Sequence, residues 1–299
     1  MQPRSDPHAD AREPAGTASA GASSMARAAE QLVRAGAAGC IAWDDANLAS
    51  HFQPILAVRE PACHGYEALL RASDVEARPI PAADVFARAT EPRRAALDWA
   101  CRALHLRNYA RFDPADRTLF LNVHPQAAAH DAHCARELGD LVRYYGLLPK
   151  RVCVEIIAGE SGDDRMLHEA VATYRALGLT IAIDDFGRAH SNFDRVLTLR
   201  PEVVKLDRRL FADGVLGWGR SRRMLAGVVE LLHEARSRVV IAGIESAAEA
   251  RVAIDAGADF VQGYYFCGPD ADLADEEGAL ARLAQALPSR GMPGLAIAT

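Results

Sequence analysis

Two adjacent carboxylates close an otherwise apolar run in this chain, which reads Ile181-Ala-Ile-Asp-Asp-Phe-Gly187. An apolar run of this length is typical of a buried β-strand. An unpaired charge buried in such a strand costs several kcal/mol, and two neighbouring like charges need a counter-ion. A divalent cation bound by Asp184 and Asp185 meets that need, so the motif predicts a metal site.

Four further apolar runs each carry one polar side chain suited to the same site. Three offer oxygen donors of the kind that Mg²⁺ and Mn²⁺ prefer, and the fourth offers an ammonium group. They are Glu67 within 65–71, Asn122 within 119–123, Glu155 within 152–157 and Lys205 within 203–207. Two divalent ions a few ångströms apart clamp a phosphodiester, activate a water and stabilise the leaving oxygen. Lys205 would then stand beside the attacked phosphorus as a fixed positive charge.

Each of these residues also has an ordinary structural interpretation. Lys205 and Asp207 are two positions apart in a strand and could pair across one face. Glu155 could be a core carboxylate with satisfied hydrogen bonds, and Asn122 could bond the backbone at a turn. The metal interpretation gains weight because all of these residues occur together.

The predicted elements explain how such distant residues could meet. From His51 onward, apolar runs rich in β-forming residues alternate with helical patterns. The predicted strands are Phe52–Val58, Gly65–Arg71, Leu119–His124, Val152–Ile157, Thr180–Asp185, Val203–Leu206, Val239–Ile244 and Phe260–Phe266. The predicted helices include Pro92–Arg111, Asp163–Leu177, Trp218–Arg236 and Ala247–Ala256.

Eight strands with interleaved helices predict a closed α/β barrel, in which the C-terminal strand ends form one mouth. The polar residues lie at or near those ends, so their side chains should converge. Asp184 and Asp185 share one site only where their strand ends, and Phe186 and Gly187 supply that break. The first connection, residues 59–64, is too short for a crossover helix. The expected fold is therefore α/β, a modified TIM-type (β/α)8 barrel with one antiparallel strand.

Length and composition limit what surrounds the site. With 299 residues, 50% of them hydrophobic, the chain can bury the core of one barrel-sized domain. The expected organisation is a disordered tail over 1–24, a helix and lead-in over 25–50, the barrel over 51–290 and a tail over 291–299. A net charge of -6 and a pI near 5.9 argue against duplex nucleic acid as a partner.

The cysteines and the apolar stretches indicate a cytoplasmic protein. Six cysteines are scattered without paired metal-ligand spacing, which predicts reduced thiols. No window approaches the roughly 18 uninterrupted apolar residues of a membrane span, and the N-terminus lacks the apolar core of a signal peptide. Any contact with a membrane would therefore need a partner.

An ordered set of short motifs resembles the EAL domain family. Phe52-Gln-Pro-Ile55 and Tyr66-Glu-Ala-Leu-Leu-Arg71 match its opening signature. The later motifs follow in the family's order as Asp184-Asp-Phe-Gly187, Val204-Lys-Leu-Asp207 and Gln262-Gly-Tyr264. Any one motif is weak evidence, but together they cover the chain from about His51 to Pro269.

The resemblance implies a bacterial phosphodiesterase module that linearises cyclic di-GMP to pGpG with Mg²⁺ or Mn²⁺. It implies that the metal ligands are Glu67, Asn122, Glu155, Asp184 and, at a second ion, Asp185. It implies that Lys205 orients the attacking water and that the substrate contacts are Arg71, Gln262 and Leu69. It also allows a homodimer and a regulatory protein partner.

Departures from the family pattern bear on turnover. Active members carry Ala-Glu-Gly-Val-Glu where this chain has Ile241-Ala-Gly-Ile-Glu245, so Ala242 replaces a glutamate that serves the second metal. Only Glu245 keeps a family glutamate in this segment, and it joins Lys205 and Asp185 in the expected catalytic set.

Two further departures lie in loops near the predicted site. Ala158 replaces a glutamate that steadies the loop after the paired aspartates, and Glu160 follows two residues later. That loop, Arg188–Asn192, lacks the usual small-Gly-Tyr sequence. Two functions therefore stay open: a phosphodiesterase with reduced turnover, favoured by the complete first-metal set, and a catalytically impaired receptor for cyclic di-GMP or interaction module.

Overall fold

The structure is a computed structural model, and it describes residues 39–112, 116–123, 132–157, 164–187, 193–210, 218–273 and 275–288. The terminal segments 1–24 and 291–299, and residues 25–38 of the predicted helix and lead-in, lie outside these residues. Cys40, Cys63, Cys101, Cys153 and Cys267 are free thiols in the part of the chain that the structure describes. None of the described helices combines the length and apolar character needed to cross a membrane.

The described strands belong to one sheet. In chain order they are β1 (Cys40–Trp43), β2 (Ala46–Ala57), β3 (Ala62–Ser73), β4 (Pro79–Ile80), β5 (Thr118–Val123), β6 (Val152–Ile157), β7 (Thr180–Phe186), β8 (Val203–Leu206), β9 (Arg238–Ile241) and β10 (Phe260–Val261).

Helices lie between most of these strands. They are α1 (Ala82–Arg88), α2 (Glu91–Ala110), α3 (Ala132–Tyr144), α4 (Asp164–Ala176), α5 (Phe193–Leu199), α6 (Trp218–Glu234), α7 (Ala247–Asp255) and α8 (Glu276–Ala286). Two short 3₁₀ helices, Pro149–Arg151 and Arg208–Leu210, precede β6 and follow β8.

Eight of the strands close into a barrel. Their order is β2-β10-β9-β8-β7-β6-β5-β3, and the pairing of β2 with β3 completes the ring. β2 runs antiparallel to both of its neighbours, whereas the remaining barrel pairs are parallel. The connection between β2 and β3, residues 58–61, is too short to hold a crossover helix, so the chain reverses there. The predicted barrel with one antiparallel strand is confirmed.

The apolar core has an outer and an inner part. The large outer cluster packs the helices against the outside of the barrel. A smaller inner cluster fills the half of the barrel away from the C-terminal strand ends, with one residue from each of seven strands: Ile55, Phe120, Cys153, Ala182, Val203, Val240 and Phe260. This inner layer supports whatever lies above it at the mouth.

The observed strands differ from several of the predicted bounds, and three of these differences have a clear structural cause. β2 begins at Ala46 and not at the predicted Phe52, because its first half forms a hairpin with β1. β9 ends at Ile241 because Gly243 adopts a φ of +76° and turns the chain. β10 ends at Val261, and residues 264–266 form a turn. Phe266 in this turn is buried in the core, so the apolar pattern of the predicted strand continues past the end of β10.

Candidate metal centre

Inward-facing side chains form a ring at the mouth of the barrel, where the parallel strands have their C-terminal ends. Because side chains two apart on a strand share a face, the ring lies one layer above the inner apolar cluster. Its members, one from each barrel strand or from the position directly after it, are Gln53, Glu67, Asn122, Glu155, Asp184, Lys205, Ala242 and Gln262. Seven are polar, and Ala242 directly after β9 is the apolar exception.

The ammonium group of Lys205 lies at the centre of three carboxylates. Its Nζ is 2.9 Å from Oε2 of Glu67, 2.8 Å from Oε1 of Glu155 and 3.5 Å from Oδ1 of Asp184. One oxygen from each carboxylate lies within 4.8 Å of the others. The structure therefore brings these predicted residues together. Lys205 does not pair with Asp207, whose Oδ1 accepts the backbone N–H of Arg209 instead.

Hydrogen bonds from amide side chains fix the carboxylate of Glu67. Asn122 Nδ2 donates to Oε1 at 3.2 Å, and Gln262 Nε2 donates to Oε2 at 2.7 Å. Gln53 Oε1 accepts a weaker bond from Gln262 Nε2 at 3.3 Å, while Gln53 Nε2 donates to the carbonyl of Cys267 at 3.0 Å. Gln262 is buried, and its hydrogen bond orients the carboxylate of Glu67. A contact between Gln262 and substrate stays a prediction.

Gln53 is a site residue that the sequence reasoning missed. It faces Glu67 in the antiparallel register of β2 and β3, and it is buried. The signal was present, because Gln53 is a polar residue in a predicted apolar strand, as are the other members of the ring.

The site contains three carboxylates and one ammonium group, so negative groups outnumber positive ones. Burial raises the pKa of Glu155 well above its ordinary value, and repulsion from Glu67 and Asp184 adds to this against the attraction of Lys205. Burial also raises the pKa of Asp184. For Glu67 burial alone would raise the pKa, but Lys205 and the amide hydrogen bonds outweigh it and lower the value. Burial alone would lower the pKa of Lys205, and the carboxylates reverse this and raise it.

The donor set fits a divalent cation. Glu155 is fully buried, its Oε1 contacts Lys205, and its Oε2 has no hydrogen-bond partner among the described residues. A buried carboxylate oxygen without a partner is costly unless a cation compensates it. Carboxylate and amide oxygens are the ligands of Mg²⁺ and Mn²⁺, so Glu67, Glu155, Asp184 and Asn122 are suited to hold one such ion.

The end of β7 is strained at the paired aspartates. Asp185 adopts a φ of +55°, and the pairing of β7 with β8 shifts register between Ile183 and Phe186. Non-glycine residues with positive φ and such bulges are concentrated at functional sites. Gly187 follows with a φ of +97°, where an added Cβ would clash with Leu210. The carboxylate of Asp185 is not in the three-acid cluster, and its role at a second ion stays a prediction.

Two predicted substrate contacts lie at the C-terminal end of β3. Arg71 is half-buried and donates from Nη1 to the carbonyl of Leu70 at 2.9 Å. The part of the chain that the structure describes offers it no carboxylate partner. Such a guanidinium is available to a phosphate. Leu69 is half-buried nearby on the same strand.

Glu245 lies apart from the three-acid cluster. Its Oε2 is 3.0 Å from Nη2 of Arg208, and its side chain is 54% exposed. Arg208 also binds the buried Glu249, which in turn accepts the backbone N–H of Glu245 at 2.7 Å. The structure thus ties this predicted catalytic residue to the loops after β8 and β9. Ala158, Glu160 and residues 188–192 lie outside the described residues.

The chain matches a known family along most of its length. A family model described as the EAL domain matches residues 41–269. The cyclic di-GMP phosphodiesterase RocR of Pseudomonas aeruginosa is 30% identical over 152 residues, which cover 50% of this chain and 38% of RocR. The chain covers between 28% and 38% of the length of the first curated relatives that it matches.

Solved structures share the fold. A standalone versatile EAL protein from Vibrio cholerae O395, solved in its c-di-GMP-bound form, is 25% identical with a TM-score of 0.67, over 77% of this chain and 94% of that chain. BlrP1 of Klebsiella pneumoniae, solved with manganese and cyclic di-GMP, is 22% identical with a TM-score of 0.67, over 74% of this chain and 55% of that chain. The second likeness concerns the fold alone.

Proposed function

The chain belongs to the EAL domain family, and we propose that it is a metal-dependent phosphodiesterase that hydrolyses cyclic di-GMP to linear pGpG. The observation that carries the proposal is the convergence of Glu67, Glu155 and Asp184 on Lys205 at the barrel mouth. A site of this kind presents oxygen donors to a cation and one ammonium to a phosphate. The likeness to RocR supports the same substrate.

Each residue has a part in the proposed mechanism. Glu67, Glu155, Asp184 and Asn122 would hold Mg²⁺ or Mn²⁺, which when bound supplies an activated water and stabilises the leaving oxygen. Lys205 holds a positive charge at Nζ beside the reacting phosphate. Arg71 binds a phosphate oxygen through its guanidinium.

The amide residues and the apolar layer keep the site rigid. Gln262 holds the carboxylate of Glu67 in one orientation, and Gln53 and Asn122 support that arrangement. The inner apolar cluster beneath the ring excludes water from that side. Together these contacts limit the movement of the groups that must meet the substrate.

One assay tests the proposal directly. Purified protein is incubated with cyclic di-GMP and Mg²⁺ or Mn²⁺, and linear product is quantified by chromatography, with Glu67→Gln as the inactive control. We expect metal-dependent product from the wild-type protein and none from the variant. Binding of cyclic di-GMP without any product would rule out the proposed phosphodiesterase activity.

That outcome would instead favour a cyclic di-GMP receptor. Two observations support this second candidate. Ala242 is the apolar member of the ring, and Glu245 is held by Arg208 outside the three-acid cluster. A receptor needs the pocket but not the groups that serve turnover.

The proposal also includes a cellular location, an oligomeric state and a protein partner. Scattered free cysteines support a reducing, cytoplasmic location. The family resemblance supports a homodimer, and light scattering of the purified protein measures its mass in solution. A regulatory partner stays part of the proposal as well.

A further inference from the structure

We propose that Lys205 is an internal cation that competes with the divalent ion for its carboxylate ligands and so sets the affinity of the site for that ion. The inference rests on the metal site of the proposed function. It assigns Lys205 a role in ion binding that is separate from any role in turnover.

The geometry places the ammonium where an ion would have to bind. Nζ lies 2.8 to 3.5 Å from one oxygen of each of Glu67, Glu155 and Asp184. Those carboxylates present oxygens within 4.8 Å of one another, so a cation that touches all three must approach the same point. Lys205 is almost fully buried, and water cannot screen the repulsion between the ammonium and an arriving ion.

Charge balance gives the expected direction. When a divalent ion binds, the three carboxylates are ionised, and with one ammonium they present two negative charges, which the ion would neutralise. Removal of the ammonium leaves three negative charges around the same point. The site should then attract a divalent ion more strongly, while the protein without the ion should lose stability because the carboxylates repel one another.

The choice of residue supports this role. Among 34 basic residues the chain contains two lysines, Lys150 and Lys205, and therefore 32 arginines. A guanidinium is planar and spreads its donors along a fork, whereas an ammonium is a compact point charge with three donors. Three converging carboxylates match the ammonium, which resembles a metal ion in shape and charge distribution.

Metal titration of two matched variants tests the proposal. Lys205→Met removes the buried ammonium and keeps side-chain length, and Lys150→Met removes the exposed one. Free Mn²⁺ is titrated into each purified protein, and melting temperatures are recorded in EDTA. We expect Lys205→Met to bind Mn²⁺ roughly tenfold tighter or more and to melt lower in EDTA, while Lys150→Met resembles the wild type.

The outcomes separate this inference from the proposed function. Wild-type protein that binds no Mn²⁺ would remove the metal site and both proposals. Wild-type binding with equal or weaker binding by a folded Lys205→Met variant would overturn the competition alone, because the metal site would still stand.

A second measurement does not depend on the variant folding. Labelling lysine side chains with ¹³C at Cε gives two lysine signals by NMR, which Lys150→Met assigns. We expect saturating Mg²⁺ to shift the Lys205 signal and to leave Lys150 in place. An unchanged Lys205 signal at Mg²⁺ saturation would overturn the proposal.

Discussion

At the scale of single residues, the ring at the barrel mouth is complete except at one position. Ala242 follows β9 directly, and its backbone N–H bonds the carbonyl of Leu206 on β8, which fixes it beside the strand of Lys205. Its side chain is half-buried. Ala242 is therefore the ring position without a polar side chain, and the family resemblance predicts a carboxylate there.

Substitution of Ala242→Glu should raise the rate of cyclic di-GMP hydrolysis. The added carboxylate would stand next to the strand of Lys205 and supply a further oxygen donor to the ring. We expect an increase in kcat of roughly tenfold or more, which corresponds to about 1.4 kcal/mol of transition-state stabilisation. Product formation at saturating substrate and Mn²⁺ measures it.

Ala248→Glu is the matched control. It adds the same charge at an exposed position in the first turn of α7, away from the ring. An unchanged rate in a folded, nucleotide-binding Ala242→Glu protein would mean that the missing carboxylate does not limit turnover.

The sequence predicted the chemical residues better than their partners. Glu67, Asn122, Glu155, Asp184 and Lys205 stand out because each is a polar residue in an apolar strand, and strand alternation then places them on one face. The pair between Glu245 and Arg208 had no such signal. It joins two loops that follow different strands, and loop paths depend on tertiary contacts.

At the scale of elements, one carboxylate of the final described helix forms polar contacts with β3 and with the residue directly before β5. Glu276, the first residue of α8, accepts a hydrogen bond from Tyr66 Oη at 2.5 Å. Arg117 pairs with the same group, with Nη2 3.1 Å from Oε2. The contact links α8 to β3 and to the start of β5. Since Tyr66 is buried, loss of this acceptor leaves its hydroxyl without its partner.

Substitution of Glu276→Ala should lower the melting temperature. We expect a loss of about 1 kcal/mol at pH 7, which corresponds to about 2–4 °C, because the group is one-third exposed and solvent weakens its ion pair. Glu277→Ala is the matched control, since Glu277 is the exposed neighbour in the same helical turn. Equal melting temperatures for the two variants would show that the contact contributes nothing.

The same contact predicts a pH dependence. Burial alone would raise the pKa of Glu276, but the hydrogen bonds from Arg117 and Tyr66 outweigh it and lower the value below 4.5. A lowered pKa in the folded state means that stability is present above the unfolded value and is lost as the pH falls through the folded one. The difference between wild type and Glu276→Ala should therefore shrink in acid, as thermal melts at decreasing pH would measure.

Element bounds were predictable where one physical cause dominates. β6 and β8 were predicted at their observed ends because continuous apolar runs stop there. β10 was not, because Gly263 brings two backbones together: an added Cβ would lie 2.1 Å from the carbonyl oxygen of Ile244. Such a close approach depends on a loop distant in sequence, which no local pattern reveals.

At the scale of the whole molecule, the site links strands that are distant along the chain. Glu67 lies on β3, Glu155 on β6, Asp184 on β7 and Lys205 on β8. An ion held by the three carboxylates joins strands from both sides of β5, so its binding energy should stabilise the barrel as a unit. A ligand that binds only the folded state at 100 times its Kd adds about 2.7 kcal/mol of stability.

Mn²⁺ should accordingly raise the melting temperature of the wild type by roughly 5–10 °C at that saturation, in one transition. Glu155→Gln should abolish this rise because it removes a ligand of the ion. In EDTA the variant should melt at or above the wild-type temperature, because it removes one of three mutually repelling buried carboxylates. Its amide oxygen still accepts a hydrogen bond from Lys205. Glu169→Gln, exposed on α4, is the control and should keep the full response. A rise in melting temperature that persists in Glu155→Gln would place the ion elsewhere. A large loss of stability in EDTA would mean that the charge of Glu155 stabilises the fold. That result would contradict the expectation drawn from its fully buried oxygen without a hydrogen-bond partner.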